Sequence, residues 1–287
     1  MILKSDIDIS AYAKINLYLD ITGRRSDGYH LLETIMQTVS LCDEISISLC
    51  KSGEIVLYAD NDFSDDVPTD NRNIAYKAAR AFYRIIPELF SGVEIHLKKH
   101  IPSQAGLGGG SADAAAVLRG LYTLHDKPFD EKKLFDAALS LGADVPFCLA
   151  GGAAVCHGIG EIITPITPMP QDISIVIAKG SEGISTGKAF SEIDRLGFAV
   201  EQTEHLLEMY DKQDYKRLCF NRFEQVTNIK ETAFIREKML ENGAETACLS
   251  GSGSAVFGLF RDRDNAEKCA EELRKNGFFS EVCIAVK

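Results

Sequence analysis

The chain has 287 residues, 45% of them apolar and 25% charged, with a formal net charge of −11. That length suits one large domain or two ordinary ones around a substantial core, and the composition is globular. The acidic balance excludes a nucleic-acid binder that relies on broad phosphate neutralisation, yet leaves room for a phosphorylated small molecule held by a few lysines and backbone amides.

The opening stretch, MILKSDIDIS, lacks the apolar core of a signal peptide, and no apolar run approaches a membrane span. The cysteines at 42, 50, 148, 156, 219, 248, 269 and 283 form no C-x-x-C pair. They read as buried thiols of a reducing compartment, so a cytoplasmic location with no membrane partner is expected. From Ile7 to Ile21 apolar residues alternate with polar ones, which predicts one long strand or two short ones. Lys14 and Asn16 then project from the same polar face, where a lysine standing alone would be a solvated edge charge. GRRSDGYH, residues 23–30, is a turn at Asp27-Gly28, with Tyr29 and His30 just beyond it. Such a pair can stack a flat group and hydrogen-bond its edge, although ordinary packing is the favoured reading of these two residues alone.

Ile45, Ile47 and Leu49 alternate with serines, and the apolar run Glu54 to Tyr58 follows Lys51-Ser52-Gly53, which together predict a β-hairpin. The acidic stretch from Tyr58 to Asp70 reads as a loop. Ile74, Ala78, Phe82 and Ile85 mark one face of a helix that ends near Pro87. Val93, Ile95 and Leu97 alternate again and lead into IPSQAGLGGGSADAAAVL, residues 101–118. Four of the five residues from Gly106 to Gly110 are glycine, and a helix follows with Ser111 as a plausible N-cap. Strand, glycine loop and helix N-terminus form a candidate phosphate cradle. It is not a P-loop, because no Gly-Lys-Ser/Thr follows, nor the dinucleotide fingerprint, whose third glycine position holds Ser111. A flexible glycine turn is the competing reading.

Asp130 caps a helix carrying Leu134, Ala138 and Leu141 that stops at Gly142, and Asp144 follows in GADVPF. A half-buried carboxylate there needs a partner or a task; an Asx-turn or a structural ion pair would also satisfy it. Ala153 to Cys156 is a strand, and the proline cluster TPITPMP, residues 164–170, is the candidate boundary region. A buried strand over Ile173 to Ala178 follows, then a helix with Lys188 and Phe190, helices around 201–219 and 229–242, strand–turn–strand over 247–260, a helix over 264–275 and a strand ending at Val286. This half reads as a small α+β domain. Its SGSGS turn, residues 250–254, is a second possible phosphate neighbour or a tight β-turn.

A glycine loop for nucleotide phosphates, a strand-borne lysine and a post-helix aspartate suffice for phosphoryl transfer, where positioning and charge stabilisation supply most of the rate. The stretch Pro102 to Ala115 resembles the ATP loop of the GHMP small-molecule kinases. Four further blocks, AYAKINLYLDITGRRSDGYHLLETIMQTVSL (11–41), GADVPF (142–147), GGAAVCHGIGE (151–161) and SGSGSAVF (250–257), resemble other segments of the same family. The resemblance covers nearly the whole chain in matching order. It implies an α+β, two-domain fold: an N-terminal ATP-binding and catalytic domain over 1–162, like ribosomal protein S5 domain 2, and a ferredoxin-like C-terminal domain over 163–287, with the active site in the cleft between them. It implies ATP and Mg2+, and phosphorylation of the 2-hydroxyl of 4-diphosphocytidyl-2-C-methyl-D-erythritol in the non-mevalonate isoprenoid pathway, by a monomer or homodimer with no nucleic-acid partner.

By the same resemblance Lys14 and Asp144 match the catalytic pair. Pro102, Ser103, Gln104, Ala105, Gly106, Leu107, Gly108, Gly109, Gly110, Ser111 and Ala112 match the ATP loop, and Asn73 a residue near the adenine. Asn16 would lie beside the substrate, His30 would read the cytosine edge, and Tyr29 and Phe190 would stack on it, with Thr186 a polar contact. Gly152 and Ala150 depart from relatives that carry histidine and arginine there. No magnesium carboxylate stands out; Ser111 and Asp113 are the nearest candidates, each equally a helix cap. Another GHMP kinase, for homoserine, mevalonate or a sugar, and a catalytically silent nucleotide binder are the alternatives. Tyr29-His30 argues against the first, and Lys14 with Asp144 against the second.

Overall fold

The structure, a computed structural model, describes residues 5–63, 67–184, 186–200 and 202–287. The elements in order are β1 (Asp6–Arg24), β2 (His30–Leu49), β3 (Ile55–Asn61), α1 (Ile74–Ile85), β4 (Val93–Lys99), α2 (Gly109–Leu124), α3 (Glu131–Leu141), α4 (Val145–Ala150), β5 (Ala153–His157), β6 (Ile162–Ile166), β7 (Ser174–Lys179), α5 (Thr186–Leu196), α6 (Thr203–Asp211), α7 (Tyr215–Leu218), β8 (Phe220–Asn221), α8 (Lys230–Glu241), β9 (Thr246–Leu249), β10 (Val256–Phe260), α9 (Arg263–Lys275) and β11 (Phe279–Cys283). No helix among the described residues is long and apolar enough to cross a membrane. Contacts divide the chain into two compact units: Met1–Ala13, Leu41–Ser103 and Gly108–Ala150 in the first, Lys14–Ser40, Gln104–Leu107 and Gly151–Lys287 in the second.

In the first unit the strands lie in the order β3, β4, β2, β1. The expected hairpin over 45–58 does not form. β4 enters between its two halves, antiparallel to β2 at Ile47↔Ile95 and parallel to β3 at Leu57↔Ile95. The Lys51-Gly53 turn is real, but its flanks bond elsewhere: Cys50 N–H donates to Gly92 O at 3.0 Å and Gly53 N–H to Ser91 O at 2.8 Å. Helix α1 provides the crossover that a parallel β3–β4 pair requires. β3 also runs on to Asn61, paired with Lys99, through what read as an acidic loop; residues 64–66 of that stretch lie outside the described residues. Ile45, Ile47 and Ile95 from the sheet pack with Phe82 of α1 and with Ala115, Val117 and Leu121 of α2. α2 lies close enough to the sheet that a Cβ on Gly120 would fall 2.5 Å from Ile47 Cδ1. Asp130 caps α3 as expected, accepting from Lys133 N–H at 2.9 Å. Ser111 does not cap α2: the cap is Gly108, with left-handed φ of 70° and no side chain to accept a bond.

The second unit contains an antiparallel sheet in the order β11, β7, β10, β9. Helices separate β7 from β9 and β10 from β11, while β9 and β10 form the strand–turn–strand read from 247–260. Numbered in their own order the strands run 4-1-3-2, the ferredoxin-like arrangement. Val176, Phe260, Ile235 of α8 and Leu273 of α9 are among its buried core. The same unit holds the β1 and β2 segments from Lys14 and up to Ser40. β1 pairs parallel to β8 at Tyr18↔Phe220, and β2 antiparallel to β5 at Ile35↔Val155. The proline cluster at 164–170 begins inside β6, where Pro165 lies opposite Ala154 of β5.

One feature of the first unit escaped sequence reasoning. Lys99 Nζ, 7% exposed as a residue, donates to Asp113 Oδ2 of α2 at 2.7 Å and also to Asp43 of β2. Asp43 Oδ1 accepts His100 N–H at 2.6 Å and Ile101 N–H at 2.8 Å. One ammonium thus faces two carboxylates, while Asp113 Oδ1 is buried without a hydrogen-bond partner among the described residues. Burial, with the neighbouring Asp43 against it, pushes the Asp113 carboxyl well above the usual aspartate range despite Lys99. We expect Lys99→Met to cost about 3–5 kcal/mol in chemical denaturation, because two buried carboxylates lose their counter-charge. A carboxyl raised on folding binds more protons folded than unfolded, so stability falls as pH climbs from about 4 through the raised pKa. Asp113→Asn should show less of that fall when unfolding is compared at about pH 5 and about pH 8.

Candidate active site

In the second unit the glycine loop is held from below. Residues Gln104–Leu107 lie against the SGSGS turn: Ala255 N–H donates to Ala105 O at 3.0 Å, and Ser250 Oγ to Gly106 O at 3.0 Å. The approach is backbone to backbone. Gly106 has φ of +76°, and a Cβ there would fall 2.0 Å from Ser250 O. Gly251, at φ +53°, faces Gly106 O in return. Glycine is required at both for conformation and for space. The two candidate phosphate neighbours are therefore one packed assembly.

Lys14 and Asn16 join it. The polar face of β1 is buried here, Lys14 being 4% and Asn16 1% exposed, so the solvated edge-charge reading of Lys14 fails. Asn16 Oδ1 accepts from Lys14 Nζ at 2.7 Å and from Gly251 N–H at 3.0 Å. Its Nδ2 donates to Thr34 Oγ1 at 2.9 Å, and Thr34 donates on to Tyr18 O at 2.6 Å. Lys14 N–H donates to Leu107 O at 2.9 Å. A buried amide must satisfy both its ends, and Asn16 does so by fixing the Lys14 ammonium and the SGSGS turn together. Thr186, at the start of α5, meets the same turn through its Oγ1, 2.8 Å from Ser252 Oγ.

The loop's continuation lies in the first unit. There Gly108 caps α2 without a side-chain bond, and the first hydrogen bond that it accepts comes from Ala112 N–H at 2.8 Å. The amides of Gly109, Gly110 and Ser111 are thus the first-turn donors, with the positive end of the helix dipole behind them. Pro102 and Ala112 are buried, Ser103 exposed. Asn73 caps α1, accepting from Ala75 N–H at 2.8 Å and donating to Pro68 O at 2.8 Å, so both ends of its amide are engaged. Asp144, half-buried as expected, precedes α4 and accepts Cys148 N–H on its backbone oxygen at 3.0 Å. It leads into helix α4, which ends at Ala150. Among the described residues no cluster of three or more His, Cys, Asp or Glu is placed to hold a metal ion. Asp113 is held by Lys99 instead, and its second oxygen has no hydrogen-bond partner among the described residues.

The Tyr29-His30 pair divides. Tyr29 is 59% exposed, whereas His30 stacks on Phe190 with ring centroids 4.4 Å apart and planes at 14°. The space between those two faces is filled. His30 Nε2 lies 2.7 Å from Asp194 Oδ1, and Arg24 Nη1 lies 3.0 Å from the other oxygen of Asp194. The sequence reading missed Asp194, Arg24 and Thr34. Asp194 stands one helical turn beyond Phe190 on α5, a spacing that places both on one face.

Residues 73–152 match the GHMP kinases N terminal domain and residues 209–278 the GHMP kinases C terminal domain. The chain belongs to the GHMP kinase family. Within it, a Clostridium tetani protein named 4-diphosphocytidyl-2-C-methyl-D-erythritol kinase is 40% identical over 286 residues, covering 96% of this chain and 98% of its own. A protein of the same name from Caldicellulosiruptor bescii is 41% identical, covering 96% of both. A crystal structure of 4-(cytidine 5'-diphospho)-2C-methyl-D-erythritol kinase matches at a TM-score of 0.77 and 33% identity, over 97% of this chain and 99% of that one. A homoserine kinase from Cytophaga hutchinsonii, with a TM-score of 0.75 but 18% identity, shares the fold.

Gly106→Ala drives a methyl into the Ser250 carbonyl, so we expect at least about tenfold weaker ATP binding by calorimetry, together with a lower melting temperature. Gly187→Ala is the control, because a Cβ there meets nothing within 4 Å.

Proposed function

We propose that the chain transfers the γ-phosphoryl group of ATP to the 2-hydroxyl of 4-diphosphocytidyl-2-C-methyl-D-erythritol, giving the 2-phosphate and ADP, as a cytoplasmic small-molecule kinase of the non-mevalonate isoprenoid pathway. The observation that carries the reading is the Lys14–Asn16–Gly251 junction, which ties a buried ammonium to the turn supporting the ATP loop. Near-full-length relatives that bear that kinase's name supply the substrate. Residues 1–162 would form the ATP-binding and catalytic part and 163–287 the C-terminal part.

In this reading the nucleotide phosphates meet the first-turn amides of α2 and the loop from Pro102 to Ala112, with Asn73 and the turn it caps beside the adenine. Mg2+ bound with ATP would neutralise charge on the phosphates, with Ser111 the nearest candidate among this chain's own side chains to hold it. Asp144 accepts the proton of the attacking hydroxyl or orients it. Lys14 stabilises charge on the attacking oxygen and on the transferred group. Asn16 holds Lys14 in register. Tyr29, exposed, stacks on the cytosine; His30 reads its edge; Phe190 supports His30; and Thr186 supplies a polar contact.

The direct test is ADP release from MgATP with CDP-methylerythritol, methylerythritol phosphate, homoserine and mevalonate offered in turn. Turnover with the cytidylyl compound alone is expected, and turnover with another acceptor instead overturns the substrate assignment. Asp144→Asn should lower kcat by about a thousandfold or more while ATP still binds. His30→Ala should raise KM for the cytidylyl substrate far more than for ATP.

A further inference from the structure

His30 is gripped from α5 in two ways at once. Phe190 lies flat against one face of its ring, and Asp194, four residues on, takes Nε2. Asp194 is itself fixed. Its second oxygen pairs with Arg24, and Arg24 Nε donates to Gly28 O at 3.2 Å in the turn just before His30. Turn, arginine, aspartate and histidine thus form a closed circuit across the base of the β1–β2 connection. The His30 hydrogen bond, with Arg24 beyond it, holds the Asp194 carboxyl below the usual aspartate range, so it is an ionised, acceptor-only group.

An ionised carboxylate can only accept, so Nε2 must carry the proton in that contact. In the neutral ring Nδ1 is then a bare acceptor, and among the described residues no hydrogen-bond partner meets it. The tautomer of a histidine is set by the bond its other nitrogen makes. Here that bond comes from outside the ligand. Cytosine offers an exocyclic amino group, a donor, where uracil offers a carbonyl oxygen, an acceptor. A bare Nδ1 attracts the first and repels the second.

We propose that Asp194 is a positioning residue that makes this protein select cytosine over uracil, by fixing His30 as the Nε2–H tautomer with Nδ1 as the acceptor. The proposal rests on the reading of His30 as the group that meets the base. Phe190 serves it by fixing the plane of the ring. An unlike base then leaves a buried polar group facing its own kind, which costs far more than a lost contact.

The test uses the full-length protein at mildly alkaline pH, with ADP filling the adenine nucleotide site and CDP and UDP as probes in calorimetry. We expect the wild type to favour CDP by at least about tenfold, the range a single well-placed base contact supplies. Asp194→Asn, whose amide can donate to Nε2 as well as accept from it, should bring the CDP-to-UDP ratio toward one with ADP affinity unchanged. His30→Ala separates the two levels. If it leaves CDP affinity intact, His30 does not meet the base and both readings fall. If it weakens CDP while Asp194→Asn preserves the ratio, only the role of Asp194 is overturned. Nitrogen-15 spectra of His30 in the unliganded wild type supply a check independent of any variant's stability. A protonated Nε2 and bare Nδ1 are expected, with a tautomer mixture in Asp194→Asn, and a protonated Nδ1 in the neutral wild-type ring would refute the proposal.

Discussion

The second unit depends on the satisfaction of one buried amide. Asn16 sits in a strand with almost no access to water, and each of its polar atoms must find a partner inside the protein. Its oxygen takes two donors, Lys14 Nζ and Gly251 N–H, and its nitrogen serves Thr34. Gly251 and Thr34 come from stretches far from Asn16 in the chain, so the hydrogen-bond requirement of a single side chain joins the lysine two residues before it to the SGSGS turn and β2. The glycine loop rests on the same turn through Ala105 and Gly106. A change at Asn16 would therefore reach the lysine and the loop together.

The first unit meets a harder electrostatic problem beneath the start of α2. Lys99 neutralises one carboxylate of the Asp43–Asp113 pair and leaves the other in excess, and the protein responds by raising the proton affinity of Asp113. Breaking such a pair costs more than forming it yields, so the arrangement is expensive to disturb without adding much net stability. Asp43 also receives the two amides at the end of β4, which fixes the chain as it leaves the strand for the loop. Nearby glycine conformations are demanding, and a rigid support keeps them populated.

At the His30 ring the same economy recurs. Nothing in His30 itself chooses between its two tautomers, so the choice has to be imposed by a neighbour that cannot donate. Asp194 imposes it from a helix and Arg24 keeps Asp194 in place, while Phe190 fixes the plane of the ring. Recognition would then reside in the partners of the histidine as much as in the histidine.

Local chemistry was legible in the sequence wherever it obeys a short period or a capping rule. The alternation that makes β1, the helical face of α1, the Asp130 cap of α3, the glycine loop between β4 and α2, and the α+β character of the C-terminal half all follow from residues a few positions apart. The blocks around Lys14, Asp144 and the glycine loop carried the family resemblance for the same reason. Pairings between distant stretches were not legible. Sequence proximity and a good turn pointed to a hairpin over 45–58, but the choice of partner strand depends on which edge β4 reaches once α1 has crossed over. Ser111 looks like a cap by residue type, yet the left-handed turn at Gly108 starts the helix earlier. Asp43, Lys99 and Asp194 carry no mark in the sequence, and Asp113 reads there only as a helix cap or a magnesium neighbour. Only folding, which removes water and leaves each charge to find a partner, decides that three of them form a buried triad and that the fourth sets a histidine's proton.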